Sequence, residues 1–262
     1  LFFDKIRFAY FDCYILNRPG AEKDYSAEEM EQVNELKKTI TEEERKELVN
    51  TIIVKTQGFV NENFKGNVSK PVELFNDLLA LYQGVDKQQL RENLKYFLNE
   101  VVPVAQQYGV NLCIHPDDPP FPVLGLPRIV GNTEDIEWIL NAVDVPNNGF
   151  TFCAGSLSSG LHNDVPVMAK KFAKRTHFVH LRSTDVAENG NFIEASHLEG
   201  RGHLVELVRI FEREHPGLPM RVDHGKLMLD DVEKSDNPGY SFYGRMYALA
   251  EVSGIMAAVR NS

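Results

Sequence analysis

The sequence has few cysteines, no long apolar run and no excess of basic residues, and each deficit excludes a class of protein. No apolar stretch is long enough to span a bilayer, and none has the pattern of a signal peptide. Only three cysteines occur, Cys13, Cys113 and Cys153, without a CxxC pair, so we expect no disulfide framework and a cytoplasmic location. The net charge is −10 without a basic run, which argues against nucleic acid and membranes as partners.

Nucleotide-binding motifs are also missing, because neither GxGxxG nor GxxxxGK followed by Ser or Thr occurs. No internal repeat, low-complexity tract or linker divides the 262 residues. We therefore expect a single domain over 1–262, with a helical and irregular excursion at 19–85.

The first third of the chain is predicted to be mainly helical. Apolar groups recur at helical spacing over 1–18 and predict a helix, although the aromatic residues there are also compatible with a strand. Ser26 and Thr41, each followed three residues later by Glu, predict the N-caps of two exposed helices within 27–48. We expect irregular structure over 51–69.

Two more helices precede a repeated order of strand, loop and helix. Helices are predicted over 70–84, 87–108, 133–144, 163–174, 202–214 and 244–260. The predicted inner face of 87–108 comprises Leu90, Leu94, Phe97, Leu98, Val101 and Val102, and Thr133 is the predicted cap of the next helix. Strands are predicted at Val110–Ile114, Gly149–Phe152, His177–Val179 and Pro219–Val222. This alternation predicts a parallel α/β fold, and since a TIM (β/α)₈ barrel needs eight strands, we expect a barrel without its N-terminal strands.

Each predicted strand is followed by a side chain that can bind a metal ion. These side chains are His115, Cys153, His180 and Asp223. The carboxyl ends of parallel barrel strands share one face, and active sites lie there. Singly, each residue has an ordinary structural explanation. Together they favour a metal site, and thiolate with imidazole points to Zn²⁺ or Fe²⁺.

Two further residues are candidates for proton transfer. His224 is the first candidate for a general acid or base, because the usual pKa of histidine lies near neutrality. Tyr240 follows a turn, where tyrosine usually packs, but a phenol beside a metal site can also act as an acid or base.

Four charged residues near the strand ends are candidates for substrate binding. Arg182 is suited to a carboxylate, and Lys226 follows the last strand, although either could be an ordinary solvated charge. Asp117 and Asp118 lie in a proline-rich loop and could accept hydrogen bonds from substrate hydroxyls or act as caps.

Six motifs carry a resemblance to a known family. They are Arg-Pro-Gly-Ala-Glu at 18–22, His-Pro-Asp-Asp-Pro-Pro at 115–120, Gly-Leu-Pro-Arg-Ile-Val at 125–130, His-Leu-Arg-Ser-Thr at 180–184, Asp-His-Gly at 223–225 and Asn-Pro-Gly-Tyr-Ser at 237–241. The chain resembles the mannonate dehydratases along essentially its whole length. The resemblance implies a TIM-barrel lyase that converts D-mannonate to 2-keto-3-deoxy-D-gluconate and water in hexuronate catabolism. It also implies a leading region that supplies the first barrel strands, which we expect this chain to lack.

The resemblance also implies roles for the candidate residues. It implies that the four strand-end residues are the metal ligands and that the metal is Mn²⁺, with Fe²⁺ or Zn²⁺ as the alternatives. It also implies that His224 and Tyr240 form an acid/base pair and that Arg182 binds the substrate. The expected partners are a small sugar acid and, in a homo-oligomer, further copies of the chain.

Two other functions remain open at this point. One is a metal-dependent sugar isomerase on the same fold, against which Cys153 argues because isomerase metal sites are rich in carboxylates. The other is a non-catalytic metal-binding protein. Ligands scattered from 115 to 223 fit an open catalytic site better than a structural zinc, whose ligands are closely spaced.

Overall fold

The computed structural model describes residues 2–58, 70–234 and 239–261. The chain forms two units. One contains Phe3–Val85 together with Val123–Leu126, and the other contains most of the remaining residues. The expectation of a single domain with an excursion at 19–85 stays a prediction.

The first unit is helical, as its sequence predicts. After a two-residue strand, β1 (Phe2–Phe3), the elements are α1 (Lys5–Tyr10), a π-helix (Phe11–Leu16), a 3₁₀-helix (Ala21–Asp24), α2 (Ala27–Thr39), α3 (Glu42–Val49), a second π-helix (Asn50–Lys55), α4 (Thr56–Gly58) and α5 (Pro71–Ala80). Ser26 and Thr41 accept hydrogen bonds from the N–H groups of Glu29 and Glu44, whose carboxylates bind the cap N–H groups in return. Both predicted caps are confirmed.

The irregular structure expected over 51–69 is wrong for 51–58, which are helical, while 59–69 lie outside the described residues. Apolar packing accounts for the helix. Ile53 is fully buried in a cluster with Phe11 and Phe75, so the helical turn brings its side chain onto the core of this unit.

The second unit contains a parallel sheet. Its elements are α6 (Lys87–Gln107), β2 (Leu112–Ile114), α7 (Thr133–Ala142), β3 (Asn148–Cys153), α8 (Ala154–Ser158), α9 (Val165–Phe172), a 3₁₀-helix (Ala173–Arg175), β4 (Thr176–Leu181), β5 (Ser183–Val186), β6 (Phe192–Ala195), α10 (Leu204–Glu214), β7 (Met220–Val222), α11 (Asp231–Lys234) and α12 (Phe242–Arg260). The order β2-β3-β4-β7, parallel throughout, confirms the predicted parallel α/β fold. The ranges that the structure describes form no closed barrel.

The hairpin of β5 and β6 is absent from the sequence prediction. Its turn contains Asn189-Gly190, a strong hairpin signal, and Gly190 adopts φ +85°, which an L side chain rarely tolerates. The signal was therefore present in the sequence.

The core between the sheet and its helices is mainly aliphatic, with a few buried phenylalanines among the Leu, Ile and Val side chains. Every residue of β3 is buried, as expected for a central parallel strand covered on both faces. Phe150 and Phe152 are fully buried, and the ring of Phe211 from α10 lies 5.3 Å from that of Phe152 in an edge-to-face contact. This contact joins α10 to the strand that ends in Cys153.

Two predicted details are wrong. Asn132, not Thr133, caps α7, because its side chain accepts the N–H of Asp135 and Thr133 is the first helical residue. Phe97 is 55% exposed rather than on the inner face of α6, since it lies one residue, or about 100°, away from the buried Leu98.

The buried aromatic contact predicts a large loss of stability in Phe152→Ala. Removing a fully buried ring should lower the free energy of unfolding by about 3–5 kcal/mol, measured by urea denaturation. Phe97→Ala is the matched control and should change the free energy of unfolding far less, by about 0.5 kcal/mol, because more than half of this residue is already exposed to water. Equal losses in the two variants would contradict the assignment of the core.

Candidate active site

The parallel register brings three predicted metal ligands to one edge of the sheet. His115 directly follows β2, Cys153 ends β3, and Cys153 is paired in register with His180 of β4. One candidate ligand atom from each residue lies within 4.8 Å of the other two. Nε2 of His115 is 3.3 Å from Nδ1 of His180. The three strand-end side chains thus lie together, as the position of each at the end of a parallel strand predicts.

Asp223, the fourth predicted ligand, directly follows β7 and lies beside this cluster. Its Oδ2 is 3.6 Å from Nδ1 of His180. The same carboxylate contacts Nε of Arg182 at 3.2 Å and Nη2 of Arg221 at 3.0 Å. Burial would raise the pKa of Asp223, but the charges of His224 and Arg182 outweigh it and keep the pKa below its usual value. All four candidates are thus neighbours, and their role as ligands stays a prediction.

The thiol of Cys153 is arranged to ionise. The residue is fully buried, which alone would raise its pKa. The positive charge of Arg182 and hydrogen bonds with His115 and His180 outweigh burial, so the pKa lies well below that of an ordinary thiol. The hydroxyl of Ser156 also donates to Sγ, at 3.2 Å. A thiolate is the form that binds metal.

Arg182 is the central cation of the site. Its side chain is 4% exposed and contacts the carboxylates of Asp118, Glu194 and Asp223. An Nη atom also donates to Ser156 Oγ at 3.1 Å. Burial opposes its charge, but these carboxylates and the Cys153 thiolate raise its pKa well above the usual value.

His224 and Tyr240, the predicted acid/base pair, lie against each other with ring centroids 5.0 Å apart. Nδ1 of His224 is 2.7 Å from Oε1 of Glu194, and the Tyr240 hydroxyl donates to Oδ1 of Asp223 at 3.4 Å. Burial and the negative charge of Asp223 raise the pKa of Tyr240 above its usual value, so the phenol carries its proton near neutral pH. The pair therefore lies at the same edge as the metal-ligand cluster.

Two predicted substrate-binding residues have other surroundings. Oδ2 of Asp117 accepts the backbone N–H groups of Ile129 and Val130, at 2.9 and 2.8 Å, so this carboxylate braces the loop after it. Lys226 is exposed, and its ammonium makes no ion pair with any residue in the described ranges. Their role in substrate binding stays a prediction.

Sequence reasoning missed Glu194 and Ser156, both of which contact Arg182. Glu194 belongs to the unpredicted hairpin, as the third of the four residues of β6, and its signal was the Asn-Gly turn that precedes this strand. Ser156 had no comparable signal, because its loop contains several serines.

Gly155 makes room for Arg182. A Cβ at this position would lie 2.1 Å from Cγ and 2.4 Å from Nε of Arg182. Gly155→Ala should therefore lower the free energy of unfolding by about 1–3 kcal/mol, because Arg182 cannot move aside without leaving its carboxylates.

Gly254→Ala is the control for that substitution. A Cβ there meets no atom within 4 Å, so replacing this helical glycine should stabilise the protein by about 0.5–1 kcal/mol. Thermal and urea unfolding of both variants test the pair. A stabilising Gly155→Ala would show that the path of Arg182 is not constrained at this point.

Comparison with known proteins identifies the family. The D-mannonate dehydratase (UxuA) family profile matches residues 1–262. A mannonate dehydratase from Marinomonas sp. (strain MWYL1) is 44% identical over 270 residues, covering 99% of this chain and 67% of the relative. One from Chromohalobacter salexigens is 40% identical over 268 residues, covering 98% of this chain and 66% of the relative.

A solved structure is also similar. The crystal structure of mannonate dehydratase from Streptococcus suis serotype2 has a TM-score of 0.64 and 34% identity, over 68% of this chain and 52% of that chain. The present chain spans about two thirds of the length of the curated relatives. The resemblance predicted from the six motifs is confirmed, and the chain belongs to the D-mannonate dehydratase family.

Proposed function

We propose that this protein dehydrates D-mannonate to 2-keto-3-deoxy-D-gluconate and water, as a step in hexuronate catabolism. The observation that carries the proposal is the convergence of His115, Cys153 and His180 beside the pair of His224 and Tyr240. Membership of the family and the names of its relatives support the same reaction.

The residues present fit a divalent metal ion. Two guanidinium groups, those of Arg182 and Arg221, face three carboxylates and a thiolate, so the site has an excess of negative charge that a divalent cation would offset. Nδ1 of His115 lies 2.7 Å from the carbonyl oxygen of Pro116, the type of contact that orients a ligating imidazole, while Nε2 lies 3.3 Å from Nδ1 of His180, within the cluster.

We propose that His115, Cys153, His180 and Asp223 hold this ion and that it is Mn²⁺, with Fe²⁺ or Zn²⁺ as the alternatives that a thiolate ligand favours. A divalent cation at such a site supplies positive charge for the substrate carboxylate and for the negative charge that develops when the α-proton leaves.

Dehydration needs two proton transfers, and separate side chains of the protein would carry them out. The α-proton of a sugar acid is weakly acidic, because the adjacent carboxylate is already negative, so a positioned base is needed. The departing hydroxide needs an acid. The Tyr240 hydroxyl keeps its proton near neutral pH and donates a hydrogen bond to Asp223, which suits the role of the acid. His224 has one ring nitrogen bound by Glu194 and the other beyond hydrogen-bond distance of Asp223, which suits a base.

We propose that the four-stranded parallel sheet belongs to a TIM barrel, because the four metal-ligand candidates all lie at the carboxyl ends of its strands. No described helix is both long and apolar enough to cross a membrane. The cytoplasmic location and the homo-oligomer stay predictions.

Loss of one ligand should release the metal. His180→Ala should lose most of its bound Mn²⁺, because an imidazole at the centre of the cluster is removed. Inductively coupled plasma mass spectrometry after gel filtration measures this. His177→Ala is the control in the same strand and should retain metal. The His177 ring binds the carbonyl oxygen of Pro146, and no cluster of candidate ligands among the described residues includes it. Full retention in His180→Ala would remove His180 from the site.

Loss of either proton-transfer group should abolish most turnover. His224→Asn and Tyr240→Phe should each lower the kcat for D-mannonate by roughly 10²-fold or more, the scale expected for a positioned acid or base. Tyr243→Phe, at an exposed neighbouring position, should keep normal turnover. Solvent-deuterium exchange at the α-carbon should persist in Tyr240→Phe and vanish in His224→Asn.

Product analysis with D-mannonate tests the function as a whole. Formation of 2-keto-3-deoxy-D-gluconate supports it. An isomerised sugar as the product would favour an isomerase, and metal binding without any turnover would favour a non-catalytic metal protein.

A further inference from the structure

The carboxylate of Glu194 reaches the site from the hairpin rather than from the parallel sheet. Glu194 lies in β6, with its side chain 10% exposed. Its Oε1 is 2.7 Å from Nδ1 of His224 and 2.5 Å from Nη1 of Arg182.

Two neighbours compete for Nδ1 of His224. Nη1 of Arg182, at 3.4 Å, can only donate a hydrogen and would require Nδ1 without one. Glu194, at 2.7 Å, can only accept as a carboxylate and requires a hydrogen on Nδ1. The shorter contact has a charged acceptor and normal hydrogen-bond length, so it determines the arrangement.

The other ring nitrogen of His224 has no comparable partner among the described residues. Nε2 lies 3.8 Å from Oδ2 of Asp223, beyond hydrogen-bond distance. With the hydrogen on Nδ1, Nε2 presents a lone pair at the edge of the sheet where the metal-ligand candidates lie.

We propose that Glu194 is a positioning residue that holds His224 with its ring hydrogen on Nδ1 and presents Nε2 to the substrate. A carboxylate bound to one imidazole nitrogen sets both the tautomer and the orientation of the ring, and losing it costs on the order of 10²- to 10⁴-fold in turnover in comparable pairs. The kinetic part of this inference rests on the proposed dehydration, whereas the position of the hydrogen does not.

Removal of the carboxylate should move the hydrogen. In Glu194→Ala the remaining neighbour of Nδ1 is Arg182, which can only donate, so the hydrogen should pass to Nε2. Nitrogen-15 NMR of the histidine rings, at about pH 8.5 where imidazole is neutral, reads which nitrogen carries it. The signals of His224 are identified by their absence in His224→Asn.

The kinetic test uses matched variants of the metal-loaded full-length protein. Glu194→Ala should lower the kcat for D-mannonate by roughly 10²-fold or more with little change in KM, and Glu194→Asp, which keeps a carboxylate, should recover part of the loss. Glu199→Ala is the control in the same segment, because that exposed side chain contacts Ser196 and not the site.

The two readouts separate the inference from the proposed function. Wild-type protein that leaves D-mannonate unchanged would overturn the function, while the NMR spectra would still test the hydrogen position. A wild-type ring with its hydrogen on Nε2 would overturn the inference without any variant, even if Glu194→Ala fails to fold. An unchanged kcat in a folded Glu194→Ala would also overturn it.

Discussion

The buried guanidinium of Arg182 is the contact on which the rest of the site depends. It contacts Asp118 in the loop after β2, Glu194 in the hairpin and Asp223 after β7, so one side chain joins three separate segments. Glu194 and Asp223 are largely buried and, among the described residues, keep only His224, His180 and Arg221 as further charged partners. Removing one partner of a buried ion pair typically costs about 3–5 kcal/mol, because uncompensated charge remains. Together with Arg221, Arg182 contacts the carboxylate of Asp223, which in turn accepts the hydroxyl of Tyr240.

The site takes its side chains from two kinds of β-structure, one parallel and one antiparallel. The parallel sheet places the ligand candidates, because in-register pairing puts Cys153 directly beside His180. The antiparallel hairpin supplies Glu194, whose carboxylate supports His224 from outside that sheet. A stiff parallel sheet is suited to fixing distances between ligands, while a short hairpin is suited to bringing in a supporting carboxylate.

The sequence predicted those parts of the site that depend on local pattern. An apolar strand followed by a polar residue is a local signal, and it found His115, Cys153 and His180 as well as the parallel architecture. The contacts of Arg182 were not predictable in this way, because Asp118 lies 64 residues away in the chain. Such pairings depend on how the segments pack, and neither spacing nor composition reports this.

The contacts of Arg182 have a consequence for substrate recognition. A guanidinium has five N–H groups. Asp118, Ser156 and Glu194 accept from its terminal nitrogens, while Asp223 faces Nε. A substrate carboxylate bound to Arg182 in bidentate fashion would need two N–H groups. Since four of the five already face an acceptor, it would have to displace one of these, and Asp118, 39% exposed, is the accessible carboxylate. Binding of that kind would exchange one carboxylate for another, and the affinity for the substrate would reflect the difference in free energy between two ion pairs rather than the strength of one.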